Sequence, residues 1–165
     1  MNFVIQGIGI GGMILCFLCF WGKKHNNVLL IKLAADVLWA IHYFMLGALS
    51  GGMVNVICCI RECIYLLDKN EKRRYIWLLF FVVINWISAI FTWKGIQSLL
   101  PTIVTTFGAY SFWQKNVKVT RVLGVTNGIM MFTYDIFAKS YIGMVSESLS
   151  IISAGITLIK FRKQE

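Results

Sequence analysis

The chain has 165 residues, 58% of them hydrophobic and 14% charged, and its mean hydropathy is +0.73. A water-soluble core of this length would expose far more apolar surface than water tolerates, so the composition excludes a soluble domain and requires an integral membrane protein. The formal charge of +9 would suggest a nucleic-acid surface in a soluble domain, but here it reads as topology, and no nucleic-acid partner is expected.

A hydrocarbon core about 30 Å thick takes about 20 apolar residues per helix. On that measure seven spanning helices are predicted: Phe3 to Trp21, Val28 to Leu46, Leu49 to Leu67, Tyr75 to Trp93, Gly95 to Trp113, Val119 to Ala138 and Tyr141 to Phe161. The first lacks a basic n-region and a small-residue cleavage site, so it is expected to be retained as a membrane helix. Lys23, Lys24, Lys69, Lys72, Arg73, Arg74, Lys115, Lys118, Lys160, Arg162 and Lys163 fall on one side of this plan, and only Lys94 and Lys139 on the other. That asymmetry places the N-terminus outside and the C-terminus in the cytoplasm of a multi-pass membrane protein. Trp21, Trp93, Trp113, Tyr75 and Tyr141 sit at segment ends, where amphipathic rings prefer the interface.

The five cysteines, at 16, 19, 58, 59 and 63, all lie in apolar runs and are expected to be free thiols used in packing. Cys16 and Cys19 do form a CxxC, and Cys59 and Cys63 share a helix face, but no histidine or further cysteine joins them in the sequence pattern. There is no HExxH, GxSxG or Walker-type loop, so neither an enzyme nor a metal or other cofactor is expected.

Ionisable residues inside these spans are the candidates for function, because each charge at a helix centre costs roughly 2.5 to 3.5 kcal/mol on a translocon scale. On helix two, Lys32, Asp36, Trp39 and Tyr43 form one stripe with His42 on its flank. Lys32 is able to snorkel, or to pair with Asp36 at i,i+4. His42 reads either as a satisfied bundle histidine or as part of a proton relay. Helix three places Asn55, Cys58, Cys59 and Glu62 on one face, with Arg61 about 100° away and therefore a poor partner for Glu62. Glu62 is within reach of the DKNEKRR loop, and Arg61 needs a carboxylate, backbone carbonyls or solute. Pro101 is expected to loosen helix five and act as a hinge. Asn127 and Tyr134 share a face of helix six, and Glu147 on helix seven is either a proton site or the mate of Arg61. Gly7 with Gly11, and Gly124 with Gly128, are small-xxx-small pairs suited to close helix packing.

A shift of 91 lays Ile5-Gln6 on Ile96-Gln97 and Gly52-Met53-Val54 on Gly143-Met144-Val145. A shift of 92 lays Phe20-Trp21 on Phe112-Trp113 and Lys23 on Lys115. Helices one to three then repeat as five to seven in parallel orientation, with helix four as linker. The domains are 1–67, a first three-helix bundle; 68–94, a cytoplasmic loop and linker helix; and 95–165, a second three-helix bundle.

Seven helices arranged three, one, three, with the N-terminus outside, resemble the SWEET and MtN3-like transporter superfamily. More closely, QGIGI near the start, HYFMLG closing helix two, Arg61, LLPTI in helix five and Glu147 together resemble the YgjV-type bacterial inner-membrane family. The resemblance implies an all-α membrane fold of SWEET-like 3+1+3 plan, and it strengthens the hinge reading of Pro101. It also implies a central pocket framed by an aromatic of the second helix and an asparagine of the third, which Trp39 and Asn55 match. In the second half Trp39 meets Met130 or Met131 and Asn55 meets Ser146 or Glu147, so the pocket is asymmetric.

The resulting expectation is a small transporter that moves a sugar-, nucleoside- or vitamin-like polar solute by alternating access without ATP. Trp39, Asn55, Asn127 and Glu147 would bind the solute, Asp36, Arg61, Glu62 and Glu147 would form a buried charge network, and His42 and Glu147 would relay protons. The partners expected are the lipid bilayer and the solute, with a homo-oligomer left open. The alternative is a receptor or assembly factor that reuses the fold without transport.

Overall fold

The structure, a computed structural model, describes the backbone of residues 3–19, 25–68, 70–113 and 117–162. Trp21, Lys23, Lys24, Lys69, Lys115 and Lys163 lie outside the described residues, as do the side chains of Cys19, Lys72, Arg74, Trp113, Lys118, Lys160 and Arg162. Most of the charges that set the expected orientation are therefore among those not described.

Seven α-helices make up the described chain, with no strand among the described residues: α1 (Phe3–Cys19), α2 (His25–Met45), α3 (Leu49–Leu67), α4 (Glu71–Phe91), α5 (Leu99–Trp113), α6 (Val117–Ala138) and α7 (Tyr141–Arg162). Each predicted segment is a helix, and the differences lie at the ends. α4 begins at Glu71 and not at Tyr75, because Glu, Lys and Arg are good helix formers and an apolar ruler measures the membrane, not the helix. Asp68 holds this start: its carboxylate accepts from the Asn70 amide at 3.0 Å and from Trp77 Nε1 at 3.0 Å, with Arg73 at 3.4 Å. These donors hold the Asp68 carboxyl below its ordinary range, the Trp77 bond foremost. Helix five does not begin at Gly95, whose φ of 114° is not helical; a 3-10 turn, Ile96–Ser98, leads into α5. Pro101 thus falls in the first turn of α5, where a helix has no use for an amide donor, and its side chain is buried.

Side-chain placement is inverted relative to a soluble protein. Among the described residues the buried polar and charged side chains number 14 against 11 buried hydrophobic ones, while large apolar side chains cover the outside. α4 illustrates this at helical spacing: Ile76, Leu79, Phe80, Val83, Trp86, Ile87 and Ile90 face outward, and Asn85, Ser88 and Thr92 face inward. Asn85 Nδ2 donates to the Thr102 carbonyl at 2.9 Å and pins α4 to α5. Lipid is the solvent that makes an apolar exterior and hydrogen-bonded interior stable. Among the described residues one helix, Leu49–Leu67, is by itself long and apolar enough to cross a membrane, and the stretches Phe3–Leu18, Tyr75–Phe91, Val122–Ala138 and Tyr141–Ile152 are shorter apolar helices.

α2 packs between α1 and α3, and α6 between α5 and α7, while α4 packs on α3 and α5; the two sets meet where α1 touches α7 and α3 touches α5. The α2–α3 turn and the α6–α7 turn share one backbone design at a shift of 92. Gly47 and Lys139 both have positive φ, 71° and 54°. Gly47 N bonds Phe44 O and Ala48 N bonds Tyr43 O, as Lys139 N bonds Ile136 O and Ser140 N bonds Asp135 O. Gly52 N bonds Ala48 O, as Met144 N bonds Ser140 O. These turns and the α4–α5 connection lie at one end of the molecule, the turn end, where Lys94 Nζ donates to the Gly47 carbonyl at 2.8 Å.

Two of the predicted small-residue contacts are absent. A Cβ at Gly7 or Gly124 would meet nothing within 4 Å, whereas one at Gly128 would lie 2.6 Å from Ile151 and one at Gly11 3.1 Å from Leu38. The close approaches of α1 are made by Gly9 and Gly12, whose Cβ atoms would come within 2.9 Å of His42 and 3.2 Å of Trp39.

Candidate functional site

The densest polar contacts lie just inside the turn end, and they run crosswise between the two sets of helices. Tyr43 of α2 donates its hydroxyl to Asp135 Oδ1 of α6 at 2.7 Å. His42 Nε2 lies 2.8 Å from Ser140 Oγ at the head of α7, and its Nδ1 lies 2.9 Å from the Ile5 carbonyl of α1. The Tyr134 hydroxyl of α6 accepts from Gly51 N of α3 at 2.8 Å and lies 2.9 Å from Ser50 Oγ. His42, Tyr43, Ser50, Tyr134, Asp135 and Ser140 are all buried. Glycine makes the layer sterically feasible: a Cβ at Gly51 would lie 2.8 Å from the Tyr134 ring, and one at Gly143 would lie 2.5 Å from both Asp135 Oδ2 and Ser140 Oγ.

Beneath this layer, Trp39 stacks on Tyr43 with ring centroids 5.8 Å apart, and the two form a core cluster with Tyr134. Trp39 Nε1 donates to Cys16 Sγ at 3.4 Å, so this thiol packs the aromatic core of α1 and α2. Cys16, Cys58, Cys59 and Cys63 are free thiols, as expected. Trp39, Asn55 and Glu147 each lie six residues from the turn-end terminus of their helix, about 9 Å in at 1.5 Å per residue, and Asn127 lies eleven residues from it. Three of the four sequence-predicted binding residues therefore share a level, and Asn127 is deeper by more than a turn. Asn55 is turned to its own helix, donating to the Gly51 carbonyl at 2.8 Å. Asn127 Oδ1 is buried and has no hydrogen-bond partner among the described residues. Glu147 Oε2 packs over Gly128 of α6, 3.6 Å from where a Cβ would stand.

The predicted charge network separates into two parts. Between α2 and α3, Lys32 pairs with Asp36 and lies 3.9 Å from Glu62, and Arg61 Nη2 lies 3.6 Å from Glu62 Oε1. Arg61 and Glu62, expected to be poor partners, are thus an ion pair, because a long guanidinium stem curls back over the 100° between adjacent helix positions. Glu62 is buried and bridges Arg61 and Lys32, so it does not reach toward the loop after α3. Glu147 is not the mate of Arg61: no ion pair is made by Glu147 among the described residues. The quartet Lys32, Asp36, Arg61 and Glu62 brings two basic and two acidic side chains together between α2 and α3.

The residue that sequence reasoning missed is Asp135. It is fully buried, and its Oδ2 makes no hydrogen bond of good geometry among the described residues. Its signal was legible as a carboxylate within an apolar span, but it lies three residues from the end of α6, where an acid normally reaches water.

An apolar exterior around a hydrogen-bonded helical interior defines an all-helical membrane protein. The chain belongs to the Imp-YgjV family of bacterial inner membrane proteins, whose pattern it matches over residues 3–165. No curated protein and no solved structure was found to match it.

Proposed function

We propose that this protein is a transporter of the bacterial inner membrane that moves a small polar solute by alternating access without ATP. In this reading it is built on a SWEET-like 3+1+3 plan with the N-terminus outside, so that the turn end faces the periplasm. The supporting observation is the crossed layer of His42, Tyr43, Ser50, Gly51, Tyr134, Asp135 and Ser140. Hydrogen bonds that cross between two similar helix sets form a seam that opens without tearing an apolar core. On the turn-end side of the seam lies a cavity of about 310 Å³. On the other side lie Trp39, Asn55, Glu147 and, deeper, Asn127, whose carbonyl has no partner among the described residues. A closed gate above a polar level is the arrangement that alternating access requires. The residue-for-residue match of the α2–α3 and α6–α7 turns supports the duplicated plan.

Asp135 and Glu147 are acids within the helices that make no ion pair with a cation among the described residues, which marks them as the groups to bind a coupling proton or a solute donor. The test is solute flux in proteoliposomes with a mixed panel of sugars, nucleosides and organic acids. Flux that is lost in Tyr43→Phe or Asp135→Asn while the protein stays folded is expected. Saturable binding of a solute with no flux in either direction would overturn transport in favour of a receptor.

A further inference from the structure

At the turn end three connections converge on the cavity of about 310 Å³, among them Gly47 and Ser50 of the α2–α3 turn, Lys94 and Gln97 before α5, and Tyr134 and Lys139 at the end of α6. Its volume is in the range of small-molecule sites. Lys94 and Lys139 are the only ionisable residues in these three connections, and none of the chain's seven carboxylates falls in them. Neither lysine pairs with a carboxylate among the described residues. Both are exposed, and both line the cavity, from two different connections.

The backbone at Lys139 carries a second, independent indication. Lys139 has a φ of 54°, the left-handed region that favours glycine, and the equivalent position of the twin turn is Gly47. The fold therefore accepts strain at one of two matched turns, and the residue placed there is a cation beside the cavity. A lysine also suits the negative end of a helix, but any position in the last turn of α6 with ordinary φ would supply that benefit without strain. Lys94 is held at the same cavity by its bond to the Gly47 carbonyl, which uses one of its three hydrogens. Below them, the Tyr134 and Ser50 hydroxyls form a polar floor.

We infer that this cavity is a vestibule that recognises small solutes bearing a carboxylate or phosphate group, with Lys94 and Lys139 as its cationic pair. The inference names the substrate class of the proposed transporter and rests on that reading, but binding is measured without flux. The full-length protein is placed in nanodiscs of phosphatidylcholine and titrated with inorganic phosphate and with succinate, against sodium chloride of equal ionic strength. A saturable rise in Tm with at least one of the two anions is expected. Lys139→Gly should raise the Tm of the unliganded protein, because the strain is relieved, and weaken anion binding about tenfold or more, the loss expected when one charge-assisted contact goes. Lys94→Gln, whose amide keeps a donor for the Gly47 carbonyl, should weaken binding similarly.

The absence of a saturable shift with both anions overturns the proposal. So does a Lys139→Gly variant that binds them as tightly as the parent. A shift produced only by adding phosphatidylglycerol to the nanodiscs assigns the lysines to a lipid headgroup and overturns the solute claim. Anion binding with no flux of any member of the solute panel would leave the vestibule standing and remove the transporter; flux of a neutral solute with no anion binding would do the reverse.

Discussion

Removing the Tyr43 hydroxyl tests the gate most directly. In Tyr43→Phe the ring and its stacking on Trp39 remain, and the loss is the 2.7 Å bond to Asp135 Oδ1. Asp135 Oδ2 makes no hydrogen bond of good geometry among the described residues, so the variant leaves the buried carboxyl only its weaker contact with the Ser140 hydroxyl. Neutral hydrogen bonds between membrane helices average about 0.6 kcal/mol, whereas a bond to a charged group contributes roughly 1.5 to 3 kcal/mol. The carboxyl acceptor places this pair toward the upper range, so Tyr43→Phe should destabilise by about 2 kcal/mol. Asp135→Leu removes the stranded group, and the double variant should recover part of the loss. The assay is reversible unfolding in mixed micelles with SDS, run as a double-mutant cycle. A coupling energy of about 0.5 kcal/mol or less, the scatter of independent sites, would refute the reasoning, because the carboxyl would then be satisfied elsewhere.

Gly143→Ala places a methyl group 2.5 Å from both Asp135 Oδ2 and Ser140 Oγ, so it should destabilise by about 1 to 3 kcal/mol, measured by the same unfolding assay. Arg61→Met should destabilise by about 3 kcal/mol or more through the stranded Glu62. Rescue is expected from Glu62→Gln and not from Glu147→Gln, and the opposite pattern of expression and thermal stability would reverse the assignment. A reporter active only in the cytoplasm, fused after Glu165, should be active, and periplasmic activity would sink the proposed orientation. The Asp68 carboxyl is held below its ordinary range, so the ordering it gives to the start of α4 should be complete at neutral pH and be lost as pH falls through that lowered value. Trp77 fluorescence reports this, and Asp68→Asn should remove the acid transition.

The helices were legible because apolar runs of membrane length leave little else for the chain to do. Their ends were less so: Glu71 to Arg74 belong to a helix by propensity although they fail any hydropathy test. The repeat was visible as scattered identities, but the turns match at a shift of 92 through backbone geometry, which sequence identity barely records where one turn has Gly47 and the other Lys139. Helical spacing left Lys32 either to snorkel or to pair with Asp36, and His42 either as a satisfied histidine or as part of a relay; in the fold Lys32 pairs with Asp36, and His42 contacts Ile5 and Ser140. It failed for Arg61 and Glu62, because face angles describe Cβ directions while a guanidinium acts several bonds away. It also passed over Asp135 and Tyr43 as partners, since pairing across 92 residues depends on how the helix sets dock.

That docking explains why the seam is polar. Between helices in lipid there is no hydrophobic force to hold one set against the other, because the tails are as apolar as leucine; packing and hydrogen bonds must do it. The four crossed contacts are Tyr43 with Asp135, His42 with Ser140, and Tyr134 with both Ser50 and Gly51. At about 0.6 kcal/mol for each of the three neutral contacts and about 2 kcal/mol for the bond to the Asp135 carboxyl, they would favour the closed seam by roughly 3.8 kcal/mol, a ratio of about six hundredfold. In the proposed transporter a difference of this size would keep the turn end shut in the absence of solute, yet lies within what differential binding of a small ligand supplies. It follows that strengthening the seam should slow flux as surely as breaking it: a disulfide between Cys substitutions at Gly9 of α1 and Ile142 of α7, whose Cβ atoms would stand 3.3 Å apart, should abolish transport in oxidising buffer and restore it on reduction. Unchanged flux in the cross-linked protein would show that the crossed layer is not a gate.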